Sequence, residues 1–262
     1  MKQRLGIYCL TVVAVLAALS SACSVSMLQT LPGVQVDPEE VAGLIENSAA
    51  RLVTDKQIFR IRLLDKGRTF SGDGALVYRA PDTLQLSIYG PPFSTLWMQV
   101  LSRGDSIVVV LPKDDKVIRA SSSDPLPVTR LAGSEGLTDA EFLGAVTGAF
   151  RVGRFRNERT RAIAATDGGV STLRLIDAET VYEFQYDHGL EAVVKFTHYR
   201  EGKLRREVTR GEFQTVDSLP RATKTVYRDY DEDREITILV SKEEVNPELP
   251  DDAFQLLILE GS

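Results

Sequence analysis

The sequence predicts a mainly β fold with two short helices. The expected form is a strongly curved antiparallel sheet, a half-barrel of about eleven strands, with the helices over its open side. Three observations predict it. From Ile58 onward, apolar and polar residues alternate with a period of two in short runs. Tight turns such as Lys66-Gly67, Arg103-Gly104-Asp105 and Asp167-Gly168-Gly169 separate the runs, so consecutive strands form a meander and not strand–helix units. Open sheets beyond about ten strands rarely stay flat, so this one is expected to curl.

The chain opens with Lys2 and Arg4, an uncharged run from Leu5 to Leu19, the small residues Ser20-Ser21-Ala22, and Cys23. That order reads as an export signal over residues 1–22, cut before a cysteine whose thiol carries a lipid. Two alternatives stand beside it. Ser20-x-Ala22 also suits ordinary signal cleavage, whereas a retained anchor needs about 20 apolar residues, more than this run supplies. Residues 23–36 then form a lipidated N-terminus and tether, and 37–262 a single domain.

Asp37-Pro38-Glu39-Glu40 starts the first helix. Asp37 caps, Pro38 occupies a position whose missing N–H costs nothing, and Glu40 completes a capping box. Val41, Leu44, Ile45, Ser48 and Leu52 mark one face of a helix ending near Val53. Strands follow over Ile58–Leu63, Phe70–Tyr78 (bent at Gly72 and Gly74), Leu84–Tyr89, Leu96–Val100, Ile107–Leu111 and Lys116–Ala120. Residues 121–136, rich in Pro, Ser and Gly, break the pattern. Thr138-Asp139-Ala140-Glu141 is a second capping box, and Phe142, Val146, Ala149 and Phe150 form an apolar stripe. Gly144 and Gly148 each cost about 1 kcal/mol relative to Ala in a helix interior, so this helix depends on tertiary contacts and suits a movable cover. Further strands run over 161–166, 172–176, 181–186, 192–199, 204–213, 222–230 and 236–242, and Leu256–Glu260 closes the chain.

Composition excludes several functions. Removing Lys2 and Arg4 with the signal leaves 29 basic against 37 acidic residues, a formal charge of −8, which disfavours nucleic acid as a partner. The cysteines are Cys9, inside the signal, and Cys23, so the mature domain has no disulfide and no thiolate metal site. His188 lies in a turn and His198 in a charged strand, both read as surface roles, and their spacing carries no metal or triad signature. Asp229, Asp231, Asp233 and Glu235 lack the glycine and glutamate of a calcium loop, since Arg234 and Val240 stand there; they read as a solvated hairpin tip. No catalytic residue, metal or cofactor is expected.

Apolar residues are more informative. Leu84, Leu86, Ile88, Leu96, Met98 and Val100 fall on neighbouring strands, and a sheet closed only by short helices leaves room for an apolar cavity. Phe93 follows Pro91-Pro92 at a strand junction, where a stiff loop either turns the ring outward to lipid or a partner or packs it locally.

At this point the chain resembles a known group. The order of lipoprotein signal, capped helix, meander with Ala80-Pro81-Asp82-Thr83-Leu84-Gln85-Leu86, mid-chain helix and further strands is similar to that of the LolA/LolB-like periplasmic lipoprotein carriers and outer-membrane lipoprotein receptors. The phrase Asn246-Pro247-Glu248-Leu249-Pro250-Asp251-Asp252-Ala253-Phe254 is the most specific part, and the likeness spans about residues 38–260. The resemblance implies an incomplete β-barrel with a helical lid (Phe142, Val146, Phe150) around a cavity that receives acyl chains. It also implies a protruding tip at Phe93, a Cys23 anchor in the outer membrane facing the periplasm, and a periplasmic carrier protein as partner. Gln85 departs from the pattern, standing where carriers often have an arginine that latches the lid. Reception of lipid or lipoprotein is the function implied; the alternative is a structural or assembly lipoprotein that presents its sheet to another protein.

Overall fold

The structure is a computed structural model that describes residues 30–90, 95–121, 138–250 and 252–256. Fourteen strands join in a single antiparallel sheet. In chain order they are β1 (Val34–Val36), β2 (Thr54–Asp65), β3 (Arg68–Arg79), β4 (Thr83–Gly90), β5 (Thr95–Arg103), β6 (Ser106–Leu111) and β7 (Lys116–Ser121). After the second helix come β8 (Arg161–Asp167), β9 (Val170–Asp177), β10 (Thr180–Asp187), β11 (Ala192–Arg200), β12 (Lys203–Val216), β13 (Leu219–Asp229) and β14 (Arg234–Val245). Two α-helices, α1 (Pro38–Ala50) and α2 (Asp139–Thr147), and two short 3-10 helices, Pro112–Asp114 and Val152–Phe155, complete the regular structure among the described residues.

The spatial order is β1-β8-β9-β10-β11-β12-β13-β14-β2-β3-β4-β5-β6-β7. Two meanders, β2–β7 and β8–β14, are therefore fused where β14 pairs with β2, and β1 adds to β8 through Val34–Val36. Part of the segment expected to be only a tether is thus an edge strand.

This arrangement corrects the expected fold. The strongly curved, incomplete barrel of about eleven strands is replaced, among the described residues, by an open sheet of fourteen, ending at β1 on one side and β7 on the other, with no pairing between those edges. Open sheets of eight to fifteen strands do occur in large proteins, and here both helices pack on the sheet. β7 lies at one edge and β8 beside the other, and α2 falls between them in the chain and packs on β13. α1 likewise connects edge strand β1 to central strand β2 and packs on β8, β9 and β11.

Local chemistry explains both helices. In α1 the Asp37 carboxylate accepts from the Glu39 N–H at 3.0 Å, with Pro38 at the first position. The expected contribution of Glu40 to that cap is not what forms, and α1 stops at Ala50. In α2 the full box forms: the Glu141 N–H donates to Thr138 Oγ1 at 3.3 Å, and the Thr138 N–H donates to Glu141 Oε2 at 2.9 Å. α2 stops at Thr147, because Gly148 takes the left-handed conformation (φ 75°) of a helix C-cap. Gly144 is needed for contact: a Cβ there would sit 2.3 Å from the Phe150 ring, which folds back on the helix.

One core fills the space between sheet and helices. Val41, Ile45 and Ala49 of α1, Leu173 and Leu175 of β9, Phe184 of β10 and Phe196 of β11 are buried in it, as are Leu76, Tyr78, Leu84, Val100, Ile107 and Val109 of the first meander. Burial of each large side chain contributes about 1.5–3 kcal/mol. Phe150 stacks on Phe196 (5.4 Å between centroids) and meets Phe184 edge-on at 5.9 Å.

Candidate functional site: an apolar cavity beneath the second helix

A cavity of about 220 Å³ lies between α2 and the junction of the two meanders. Its walls come from six strands: Phe59, Ile61 and Leu63 of β2, Phe70 of β3, Leu86 and Ile88 of β4, Trp97 and Met98 of β5, Tyr227 of β13, and Ile236 and Ile238 of β14. Alternation puts Phe59, Ile61 and Leu63, Leu86 and Ile88, and Ile236 and Ile238 on one face, whereas the adjacent Trp97 and Met98 both reach the cavity at the register shift where Ile88 pairs with Met98 but Tyr89 with Leu96. Phe142, Ala145 and Val146 of α2 form the roof. Glycine makes space for the rings: a Cβ on Gly74 would meet Phe59 at 2.2 Å, and one on Gly90 would meet Trp97 at 1.9 Å.

The residues singled out from sequence separate as follows. Leu86, Ile88, Met98, Phe142 and Val146 line the cavity. Leu84 and Val100 lie on the same face but are fully buried in the core beside it. Leu96 pairs with Tyr89 after a register shift between Ile88 and Tyr89, and it is not among the lining residues. Phe150 lies beyond the end of α2 in the aromatic cluster. Cys23 and Phe93 lie outside the described residues.

Buried polar networks hold both ends of the roof. At the N-terminal end Glu141 is completely buried. Its Oε1 accepts from His198 Nδ1 at 2.9 Å and its Oε2 from Arg206 Nη1 at 2.8 Å. Burial acts to raise the Glu141 pKa, but the His198 hydrogen bond and the Arg206 charge outweigh it and hold the carboxyl below its ordinary range. A carboxylate only accepts, so His198 carries its proton on Nδ1. His198 is therefore buried, not a surface residue as its charged neighbours suggest.

That contact belongs to a longer row. Tyr182, His198, Arg206, Asp229, Arg234 and Asp65 are successive register partners across β10, β11, β12, β13, β14 and β2. Arg234 donates to Asp65 from Nη2 at 3.0 Å and from Nε at 3.2 Å. Asp229 accepts from the Tyr227 hydroxyl at 3.3 Å and from the N–H groups of Asp231 and Glu232 in the β13–β14 turn. Alternate cations and anions on neighbouring strands satisfy one another where isolated charges would be costly.

The C-terminal end of the roof meets a second network. Arg221 donates from Nη2 to Asp55 at 2.8 Å and from Nε to Glu243 at 2.6 Å. Gln57 Nε2 reaches Asp55 (2.7 Å), Glu243 (3.2 Å) and the Val146 carbonyl of α2 at 3.5 Å. Burial, with Glu243 close by, pushes the Asp55 carboxyl up to about 7 despite the neighbouring Arg221 cation. Arg210 lies against Gly148, where a Cβ would stand 2.2 Å from its guanidinium. Gln85 alternates with Leu84 and Leu86 and so lies on the face opposite α2, away from any role in holding it.

No metal-binding cluster of His, Cys, Asp or Glu occurs among the described residues, and no helix among them is long and apolar enough to cross a membrane. Sequence reasoning missed the contribution of β13 and β14 to the cavity and both charge networks. The alternation of Arg234, Ile236 and Ile238 was the available signal.

No protein-family model and no curated protein matches the chain. Solved structures do. A "putative outer membrane lipoprotein-sorting protein domain" from Vibrio parahaemolyticus aligns at 16% identity with a TM-score of 0.60, covering 83% of this chain and 97% of that one. A DUF1329 family protein from Desulfovibrio piger aligns at 12% identity, TM-score 0.57, over 84% and 98%. A LolA superfamily protein from Nitrosomonas europaea aligns at 14% identity, TM-score 0.55, over 82% and 97%. The chain thus shares the fold of these three proteins, a LolA superfamily protein among them.

Proposed function

We propose that this protein is a lipid-anchored receptor for acyl chains in the cell envelope, tethered through Cys23 to the outer membrane and facing the periplasm. It receives lipid or lipoprotein, handed over by a periplasmic carrier, by transfer between apolar sites without covalent chemistry. The observation that carries this reading is the apolar cavity roofed by α2. Leu86, Ile88, Met98, Phe142 and Val146 are its contact residues, with Leu84, Leu96, Val100 and Phe150 supporting them and Phe93 as the membrane or cargo contact. The cavity shields each methylene from water, worth about 0.8 kcal/mol, so a chain passing from one apolar site to another is spared that penalty at its destination. The shared fold with lipoprotein-carrier proteins supports the same reading.

Uptake of a fluorescent fatty acid by purified mature protein tests it. Saturable binding is expected, with a loss of at least tenfold in Phe142→Asp. A folded wild-type protein that takes up no probe defeats the proposal. The anchor is tested separately by labelling with a palmitate analogue, which Cys23→Ala must abolish.

A further inference from the structure

We infer that the cavity takes the tail of a single-chain amphiphile, one acyl chain buried to a depth of about nine carbons with its head group left at the mouth. The inference rests on the acyl-chain reading above and adds chain number, length and direction of entry.

Volume sets the chain number. An apolar protein cavity of about 150 Å³ accepts benzene, six carbons. Scaled by volume, the 220 Å³ present here accommodates about nine carbons. Two or three chains side by side would need two or three times that space. Close-packed walls do not supply it without rearrangement.

The polar inventory sets the character of the buried part. Apart from backbone, the lining offers polar atoms on Ser71, Thr225, Tyr227 and Arg234 and the single indole N–H of Trp97. The Tyr227 hydroxyl donates to Asp229, and Arg234 donates to Asp65 from two nitrogens. None of the buried side-chain polar atoms that lack a partner belongs to a lining residue. A ligand carrying hydroxyl, amide or charged groups along its length would bury them unpaired, at about 1–3 kcal/mol each. Only a hydrocarbon segment enters without that penalty.

Direction follows from exposure along β2 and β3. Leu63 pairs with Phe70 near the β2–β3 turn, and Phe70 is 46% exposed. Phe59 pairs with Gly74 farther along the same strands and is 2% exposed. The mouth therefore lies toward the turn, and the cavity closes toward Phe59. Beyond Phe59 on the same face stand Gln57 and Asp55, tied to Arg221 and Glu243. A longer chain would have to break into that buried ion cluster, which sets a floor to the cavity.

Calorimetric titration of the purified mature protein with the straight-chain fatty acids from hexanoate to palmitate tests the inference. Affinity should rise about fourfold with each methylene to a chain of about nine carbons and then level off. Lysophosphatidylcholine should bind, and the two-chain phosphatidylcholine of the same acyl length should bind no more tightly. Ala145→Leu, which fills the space, should move the levelling point to shorter chains, and Ile238→Ala, which enlarges it, to longer ones. A steady rise through palmitate, tighter binding of the two-chain lipid, or a levelling point unmoved by both variants would overturn the inference while leaving acyl-chain binding intact. Binding of none of the fatty acids would overturn both.

Discussion

Glu141→Ala removes the carboxylate that fastens the N-terminal end of α2 to the sheet. In the folded protein that group accepts from His198, Arg206 and the Thr138 N–H, at 2.9, 2.8 and 2.9 Å. The substitution leaves the Arg206 guanidinium, with only 12% of its side chain exposed, without its close carboxylate. Asp229, 4.0 Å from Arg206 Nε, compensates in part. Removing one partner of a buried ion pair costs about 3–5 kcal/mol, and for a domain of this size each kcal/mol lowers Tm by about 2–4 °C. The expected fall is therefore about 10 °C, read by thermal circular dichroism, with a matching shift of the urea midpoint at constant slope. The sign with pH is also fixed. The folded-state pKa of Glu141 is lowered, so its contribution is present above the ordinary carboxylate range and is lost as pH falls through the folded value. The difference between wild type and variant should accordingly narrow in acid. A variant within about 0.5 kcal/mol of wild type at neutral pH, the scatter of ordinary surface substitutions, would refute the view that this contact secures the roof.

Three further outcomes are expected. Asp55 has a raised folded-state pKa, so the folded protein holds a proton that the unfolded chain has released between the ordinary carboxylate range and about pH 7. Its contribution to stability falls as pH rises through that window, and Asp55→Asn should flatten the decline in urea titrations across it. Gly148→Ala places a side chain at φ 75° and against Arg210; a loss of at least about 1–2 kcal/mol is expected from the backbone alone, measured by chemical denaturation. Gly74→Ala, whose Cβ would meet the Phe59 ring at 2.2 Å, should displace that ring and alter fatty-acid affinity more than Gly43→Ala, where nothing stands within 4 Å.

Much of this architecture was legible because its signals are local. The period of two in Leu84, Leu86 and Ile88 follows from strand geometry, and the Thr138–Glu141 box from four adjacent residues. The closure of the sheet was not legible. Curling was expected from strand number, whereas the open order depends on β14 pairing with β2, strands separated by most of the chain. His198 was misjudged for a related reason. Lys195, Tyr199 and Arg200 around it read as a wet strand, and the group that buries it, Glu141, lies 57 residues away.

The sequence by itself determined most of the strands, β1 excepted, both helices, which side of the alternating strands is apolar, and where α2 begins. Backbone geometry and capping act over a few residues, so neighbours in the chain are enough to specify them. Tertiary structure alone decided that Ile236 and Ile238 share a cavity with Leu86, Ile88 and Met98, and that Arg206 and Glu141 meet. Those contacts arise from the register of nonadjacent strands and from the packing of α2 on the sheet. A buried charge is stable only where its partner has been delivered, and no local pattern records the delivery.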